Sequence, residues 1–526
     1  MPTSPATRRG TGLAAVTAAA LLAATGCSDN GGAGSGESGS TAKPTDMASQ
    51  RLAWKRCPAP DTAEGGGTAP SPLPGGAQWE CSTMTVPLDY TKPDGATIKL
   101  ALIRAKARDQ ARRMGSLVFN FGGPGGSGVA TLPSFAKDYE KLRSRYDLVS
   151  FDPRGVGRSD GVECESARQL DVYYAQDATP DDAAEEKTFT DGLATYAAAC
   201  QKNSGTALPY VGTANAARDM ETMRKVLGDN RLNYFGISYG TELGGVYAHL
   251  YPKSVGRAVF DAVVNPTENS EQGSLGQTKG FQLALENFEK DCVARGDACK
   301  LPGSTPQEVE AHITGLLDRL DKQPIAGIGN RELTQTQATN GIAQALYSKE
   351  FWPLLEEGVD EADAGSGALL LALSDSMNGR DEKGQYSNLQ AANAAVNCVD
   401  SKERFTLEQT KAKLPEFRAA SPVFGDFLGW GLMGCTKWPV PGQWTTPDVS
   451  APGSAPILII GNTGDPATPY AGAKAMATAL GKGVGVEITY RGQGHGAYNS
   501  GSACVQDAVN GYLLNDKVPA AGTVCD

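Results

Sequence analysis

Short apolar runs rich in β-branched residues recur near 83–89, 97–105, 116–121, 146–151, 232–237, 257–263, 456–461 and 485–490. The first two alternate apolar and polar positions, which predicts an edge hairpin with one wet face. The later six are short and continuous, as in parallel strands covered on both sides. Amphipathic stretches at helical period lie between them, at 213–227, 239–251, 469–480 and 502–514. Strand–helix alternation predicts an α/β fold around a mostly parallel sheet of eight strands. The sixth and seventh runs are separated by about 190 residues, far too long for a loop. That interval carries helical patterns near 275–296, 306–322, 333–346, 349–360 and 363–377. It reads as a mainly helical cap inserted over the carboxyl edge of the sheet, where open α/β sheets bind ligands. The expected organisation is a core at 51–265, a cap at 266–440 and the rest of the core at 441–526.

The N-terminus follows a different pattern. Arg8 and Arg9 precede a small, apolar run from Gly12 to Gly26 that ends in Cys27. A basic start, a short apolar stretch and small residues before a cut describe a signal peptide over residues 1–27. The run is too short to span a membrane. Cys27 after Ala24-Thr25-Gly26 is similar to a lipobox, with Ala24 where a leucine is usual. The alternatives are plain secretion with removal of the segment, or twin-arginine export through Arg8-Arg9. Residues 28–50 are rich in Gly and Ser and read as a flexible tether. A lipid on Cys27 would hold the chain at a membrane surface.

Composition narrows the picture. A net charge of −11 with no basic stripe argues against a nucleic-acid partner. Eleven cysteines less Cys27 leave ten, an even number that in an exported chain predicts up to five disulfides. The count does not determine connectivity. Pairing sequence neighbours gives Cys57–Cys81, Cys164–Cys200, Cys292–Cys299, Cys398–Cys435 and Cys504–Cys525. There is no C-x-x-C pair and there are only three histidines, so neither a metal nor another cofactor is expected.

Candidate chemistry begins at Gly236-Ile237-Ser238-Tyr239-Gly240, between an apolar run and a helical one. That context is a nucleophile elbow, which presents its serine at the top of a sheet. A second match, Gly157-Arg158-Ser159-Asp160-Gly161, lies in a loop with no helix after it, so Ser159 reads as a turn residue. A serine nucleophile needs a base, and the base needs an acid to orient it. His495 follows the last strand in a glycine-rich loop, whereas His249 and His312 lie on helices. Asp465 follows the seventh strand. The chain order Ser238, Asp465, His495 is that of α/β-hydrolases. After the third strand, Phe121-Gly122-Gly123-Pro124-Gly125-Gly126-Ser127-Gly128 offers backbone amides to an oxyanion. The expected donors are the Gly123 and Tyr239 N–H groups. A phosphate loop is the rival reading, but it lacks the Gly-Lys-Ser/Thr ending.

With these residues in place the chain resembles the secreted tripeptidyl aminopeptidases of actinomycetes, α/β-hydrolase relatives of the prolyl aminopeptidases. The resemblance rests on FGGPGGSG (121–128), FDPRGVGRSD (151–160), YFGISYGTELGGVYAHLYP (234–252), DAVVNPT (261–267), NCVD (397–400), CTKWP (435–439), NTGDPATP (462–469) and GHG (494–496). It implies an exported serine exopeptidase acting on peptides with a free N-terminus, with no metal. Phe121 and Asn265 depart from the pattern, where proline or histidine and aspartate are expected. Reading a free ammonium calls for a carboxylate, and Asp400 and Glu268 are the candidates. The competing readings are an exported carboxylesterase on the same triad and a non-catalytic, peptide-binding surface lipoprotein.

Overall fold

The structure is a computed structural model that describes residues 47–526. The signal segment, Cys27 and most of the expected tether lie outside the described residues. The last residues of that tether are packed. Gln50 Nε2 donates to Thr85 O at 2.8 Å, and Thr85 N–H donates back to Gln50 Oε1 at 2.8 Å.

The sheet contains the eight expected strands and a short extra strand at each edge. In chain order these are β1 (Lys55–Arg56), β2 (Glu80–Pro87), β3 (Thr97–Ala105), β4 (Ser116–Asn120), β5 (Asp147–Phe151), β6 (Leu232–Ile237), β7 (Val255–Asp261), β8 (Ile457–Gly464), β9 (Gly485–Gln493) and β10 (Thr523–Cys525). Their spatial order is β1-β2-β3-β5-β4-β6-β7-β8-β9-β10. The strands from β5 through β10 pair in parallel, while β1, β2 and β3 are antiparallel. The β2–β3 hairpin therefore lies one strand in from the edge. β1 and β10 are too short to be legible as apolar runs. A disulfide lies at each of them: Cys57–Cys81 joins the residue after β1 to β2, and Cys504–Cys525 ties β10 to the helix Ala503–Asn515. The other three bonds are Cys164–Cys200, Cys292–Cys299 and Cys398–Cys435.

Every residue of β4 and of β5 is buried, which is why these runs carry no alternation. One face of the sheet packs on α1 (Thr213–Val226) and α2 (Tyr239–Leu250), through Met220, Met223, Leu243 and Val246. Between β7 and β8 the chain is almost wholly helical. It opens with α3 (Ser270–Arg295) and includes α4 (Leu389–Asp400). Its first helices close on a separate core that includes Phe281, Phe288, Ile313, Leu317, Ile342 and Leu355. A two-stranded ribbon, Ile325–Ala326 with Glu332–Leu333, is its one strand pairing among the described residues.

Several helices carry no clear apolar stripe. The segment Ala183–Ser204 buries only Tyr196, Ala197 and Cys200, so its pattern is weak. Its readable signal is the capping box of Asp182 with Glu185. Leu407–Ala420 contains Pro415, which lowers its helix propensity.

Buried charge is concentrated where loops meet the sheet. The Arg154–Asp219 pair is almost wholly enclosed, at 1% and 0% side-chain exposure. Arg154 also donates to the carbonyls of Pro87, Leu88 and Tyr210, so the pair ties three loops together. Such a pair is costly to break, because either survivor is left charged and buried.

Candidate active site

Ser238 sits between β6 and α2 with φ 58° and ψ −129°, a conformation that side chains rarely adopt. Close packing accounts for it. A Cβ on Gly236 would come within 2.4 Å of Gly240 O, and one on Gly240 within 2.5 Å of Asn120 O. Only glycine at both places lets the strand turn directly into the helix. The strained serine is held by its own N–H, which donates to Asp261 O at 3.1 Å, and by its carbonyl, which accepts from Thr241 Oγ1 at 2.8 Å.

The glycine loop after β4 lies against this elbow. A Cβ on Gly122 would stand 2.8 Å from Ser238 Cβ and 3.1 Å from Tyr239 N. Asn120 Oδ1 accepts the Gly122 N–H at 3.0 Å. Tyr239 N–H is the first amide of α2 and so has no acceptor within the helix. The loop has two supports. Phe121 stacks on Phe135 at 5.6 Å, and the same aromatic cluster holds Phe119, Tyr139 and Phe235. Ser127 Oγ donates to Asp152 Oδ1 at 2.7 Å. Asp152 is fully buried, and burial raises its pKa to about 6.

The Asp152 loop also contains Ser159, the serine of the second motif. Its hydroxyl donates to Asp152 O at 2.6 Å and accepts from Ala101 N–H at 2.8 Å. With no exposed surface, it is a turn residue that pins the loop to β3.

Asp465 and His495 are brought together from the ends of β8 and β9. Asp465 Oδ1 accepts from His495 Nδ1 at 2.8 Å and from the amides of Ala467 and Thr468 at 3.0 and 2.9 Å. Asp465 is buried, and these three donors fix the orientation of its carboxylate. The histidine loop is held from both sides. His495 N–H donates to Tyr347 O at 2.8 Å, and the Tyr347 ring meets the imidazole edge-on at 5.2 Å. Below, the Asp261 carboxylate accepts from Ala497 N–H at 2.9 Å and Tyr498 N–H at 2.9 Å. Asp261 thus supports the serine elbow through its carbonyl and the histidine loop through its carboxylate. Neither Asp261 nor Tyr347 emerged from sequence reading. The available signal for Asp261 was its place at the end of an apolar run, in DAVVNPT.

Burial alone would lower the His495 pKa, but the opposing charges of Asp465 and Asp261 outweigh it and the net shift is upward from 6.5. A base must be neutral to accept a proton, so the acid limb of kcat/KM is expected above pH 6.5. Rates measured on a small ester between pH 5 and 9 check this; a midpoint below 6.5 contradicts the site's electrostatics.

His249 and His312 lie elsewhere. His249 Nδ1 is 2.8 Å from Ser450 O, and His312 Nε2 is 2.5 Å from Asp363 Oδ2.

A cavity of about 520 Å³ opens beside this constellation, within the range of small-ligand sites. Thr468, which lies 3.4 Å from His495 Nδ1 through its hydroxyl, lines it. Glu242, Glu268, Asp400 and Glu403 also line it, and among the described residues no Lys, Arg or His does so. Asp400 is buried and already engaged. It accepts from Thr213 N–H at 3.0 Å and from Thr213 Oγ1 at 2.6 Å, capping α1. Burial, and then the charge of Glu242, push its pKa to about 8. Glu268 stands at the rim, half-buried, and desolvation raises its pKa. Asn265 Oδ1 accepts from Thr267 N–H at 3.1 Å and Thr267 Oγ1 at 2.8 Å, closing a turn at the start of the helical segment.

Comparison with known proteins agrees with this architecture. A family model described as alpha/beta hydrolase fold matches residues 115–298, and one described as TAP-like protein matches residues 421–525. The chain is 35% identical over 472 residues to "Serine protease Hip1" of Mycobacterium tuberculosis H37Rv, covering 86% of this chain and 88% of that protein. It is 32% identical over 455 residues to "Tripeptidyl aminopeptidase" of Streptomyces lividans, covering 85% and 83%. It is also 37% identical over 457 residues to "Carboxylesterase B" of Mycobacterium tuberculosis H37Rv, covering 85% and 86%.

Proposed function

From the premise that this chain belongs to the tripeptidyl aminopeptidase family of α/β-hydrolases, and is a serine hydrolase, we propose that it is an exported exopeptidase releasing short peptides from free N-termini. In this reading Ser238 attacks the scissile carbonyl. His495 takes the serine proton and returns it to the leaving amine, while Asp465 holds the imidazole in the required tautomer. The Gly123 and Tyr239 amides receive the oxyanion. Asp400 and Glu268, the candidates for the substrate's ammonium, both line the cavity.

The observation that carries this reading is the cavity itself. It adjoins the histidine side of the site, is lined by four acidic side chains, and has no cation among the described residues. An ester site needs no such field, whereas a peptide ammonium does. Export is supported by the five disulfides. Among the described residues no helix is long and apolar enough to cross a membrane. Anchoring would rest on the proposed lipid at Cys27.

The carboxylesterase reading has one observation in its favour, the relative of that name at 37% identity. Turnover of Ala-Ala-Pro-p-nitroanilide, its N-acetylated form and p-nitrophenyl acetate separates the two. The exopeptidase reading expects the free peptide to exceed the acetylated one by at least roughly tenfold, the value of one charged hydrogen bond. Equal rates on both peptides with fast ester cleavage support the esterase.

A further inference from the structure

We propose that Glu242 is the anchor for the substrate's free ammonium group. This rests on the exopeptidase reading above and assigns the recognition to a residue that neither sequence motifs nor the candidates Asp400 and Glu268 had indicated.

Glu242 is on α2, four residues after Ser238. That is about one helical turn, ~6 Å along the axis. Nucleophile and anchor are therefore carried by one rigid helix. Water reaches the Glu242 side chain through the cavity and the protein encloses the rest. Its carboxylate takes no hydrogen bond and forms no ion pair with the described residues, whereas Asp400 and Glu403 are both hydrogen-bonded. Asp400 is saturated by Thr213. Glu403 Oε2 accepts from Ser270 N–H at 2.7 Å. Glu268 is half-buried at the rim, where Asn265 and the charge of Lys279 act on it.

A carboxylate left alone in a desolvated place is costly, and burial raises the Glu242 pKa to about 7. The groups facing it offer no relief. Asp400 on α4 is acidic, the Tyr239 hydroxyl is bonded to Thr213 Oγ1 at 2.5 Å, and no cation among the described residues lines the cavity. A primary ammonium entering the cavity supplies both the missing charge and the missing donors. An N-acetylated peptide supplies neither. The ligand class is thus a peptide with a free N-terminal ammonium.

The test has two stages. In the wild-type protein, the ratio of kcat/KM for Ala-Ala-Pro-p-nitroanilide over its N-acetylated form addresses the exopeptidase reading alone. A ratio near one defeats that reading, and the anchor with it. Given a large ratio, Glu242→Gln is expected to lower kcat/KM for the free peptide roughly 10- to 100-fold, mostly through KM, and to bring the ratio toward one. Glu242→Asp keeps the charge but shortens the arm, so it should retain more of the ratio than glutamine does. A packing role predicts the reverse, because aspartate changes the shape more. Either an unchanged ratio in Glu242→Gln or greater harm from aspartate overturns the proposal. Glu268→Gln, measured alongside, shows whether the rim holds the ammonium instead.

Discussion

Ser238→Ala is expected to lower kcat about 10⁶-fold and to abolish labelling by a fluorophosphonate, with little change in stability. The serine hydroxyl is not part of the packing: the strained turn is held by backbone bonds at Asp261 and Thr241 and by the glycines around it. Alanine tolerates that φ no better than serine, so the fold should be nearly unchanged. Ser159→Ala should do the opposite. Its buried hydroxyl joins Asp152 O to Ala101 N–H. Removing it leaves two buried groups unpaired, a loss of about 1–3 kcal/mol, while labelling at the elbow persists. Thermal melts and probe labelling of the two variants separate these outcomes. Labelling that survives in Ser238→Ala would remove the elbow from the mechanism, and with it the enzyme reading over the peptide-binding alternative.

Asp465→Asn is the second large effect. One oxygen of Asp465 accepts from His495 Nδ1 and two backbone amides, and the other faces Gly496 N–H at 3.4 Å. An asparagine keeping its oxygen toward the first three turns its NH₂ toward the Gly496 donor. The flipped amide turns that NH₂ toward three donors instead. Either way the imidazolium formed during turnover loses its counter-charge. A drop of about 10⁴ in kcat is expected. The acid limb should move down in pH, because the Asp465 charge is what chiefly offsets the burial of His495. A loss below tenfold would point to Asp261, the other carboxylate acting on the ring, as the orienting acid.

Much of the core was legible from the chain. Parallel strands buried on both faces must be apolar at every position, so β4 through β8 stand out as continuous runs. The elbow glycines are readable because no other residue permits so close a turn. Asp465 and His495 were recognisable because the fold delivers functional side chains from loops after strands, a rule that refers only to position in the chain. Ser159 could be set aside for the same kind of reason: no helix follows it. What stayed hidden has equally physical causes. The helix at 183–204 buries three residues and leaves no stripe. The edge strands are shorter than any readable pattern, and disulfides lie beside them.

The sequence by itself determined the alternation of strands and helices, the order of the candidate triad and the supply of cysteines, because each depends on local periodicity, turn chemistry or counting. Only the tertiary structure decided which acids are free. Asp400, Glu268 and Glu242 are alike as letters in the chain. Folding places Thr213 against the first and a turn beside the second. Among the described residues it leaves the third with no hydrogen-bond partner, facing a cavity that no cation lines. Whether a carboxylate is a cap or an anchor depends on neighbours far away in sequence, and no local pattern records them.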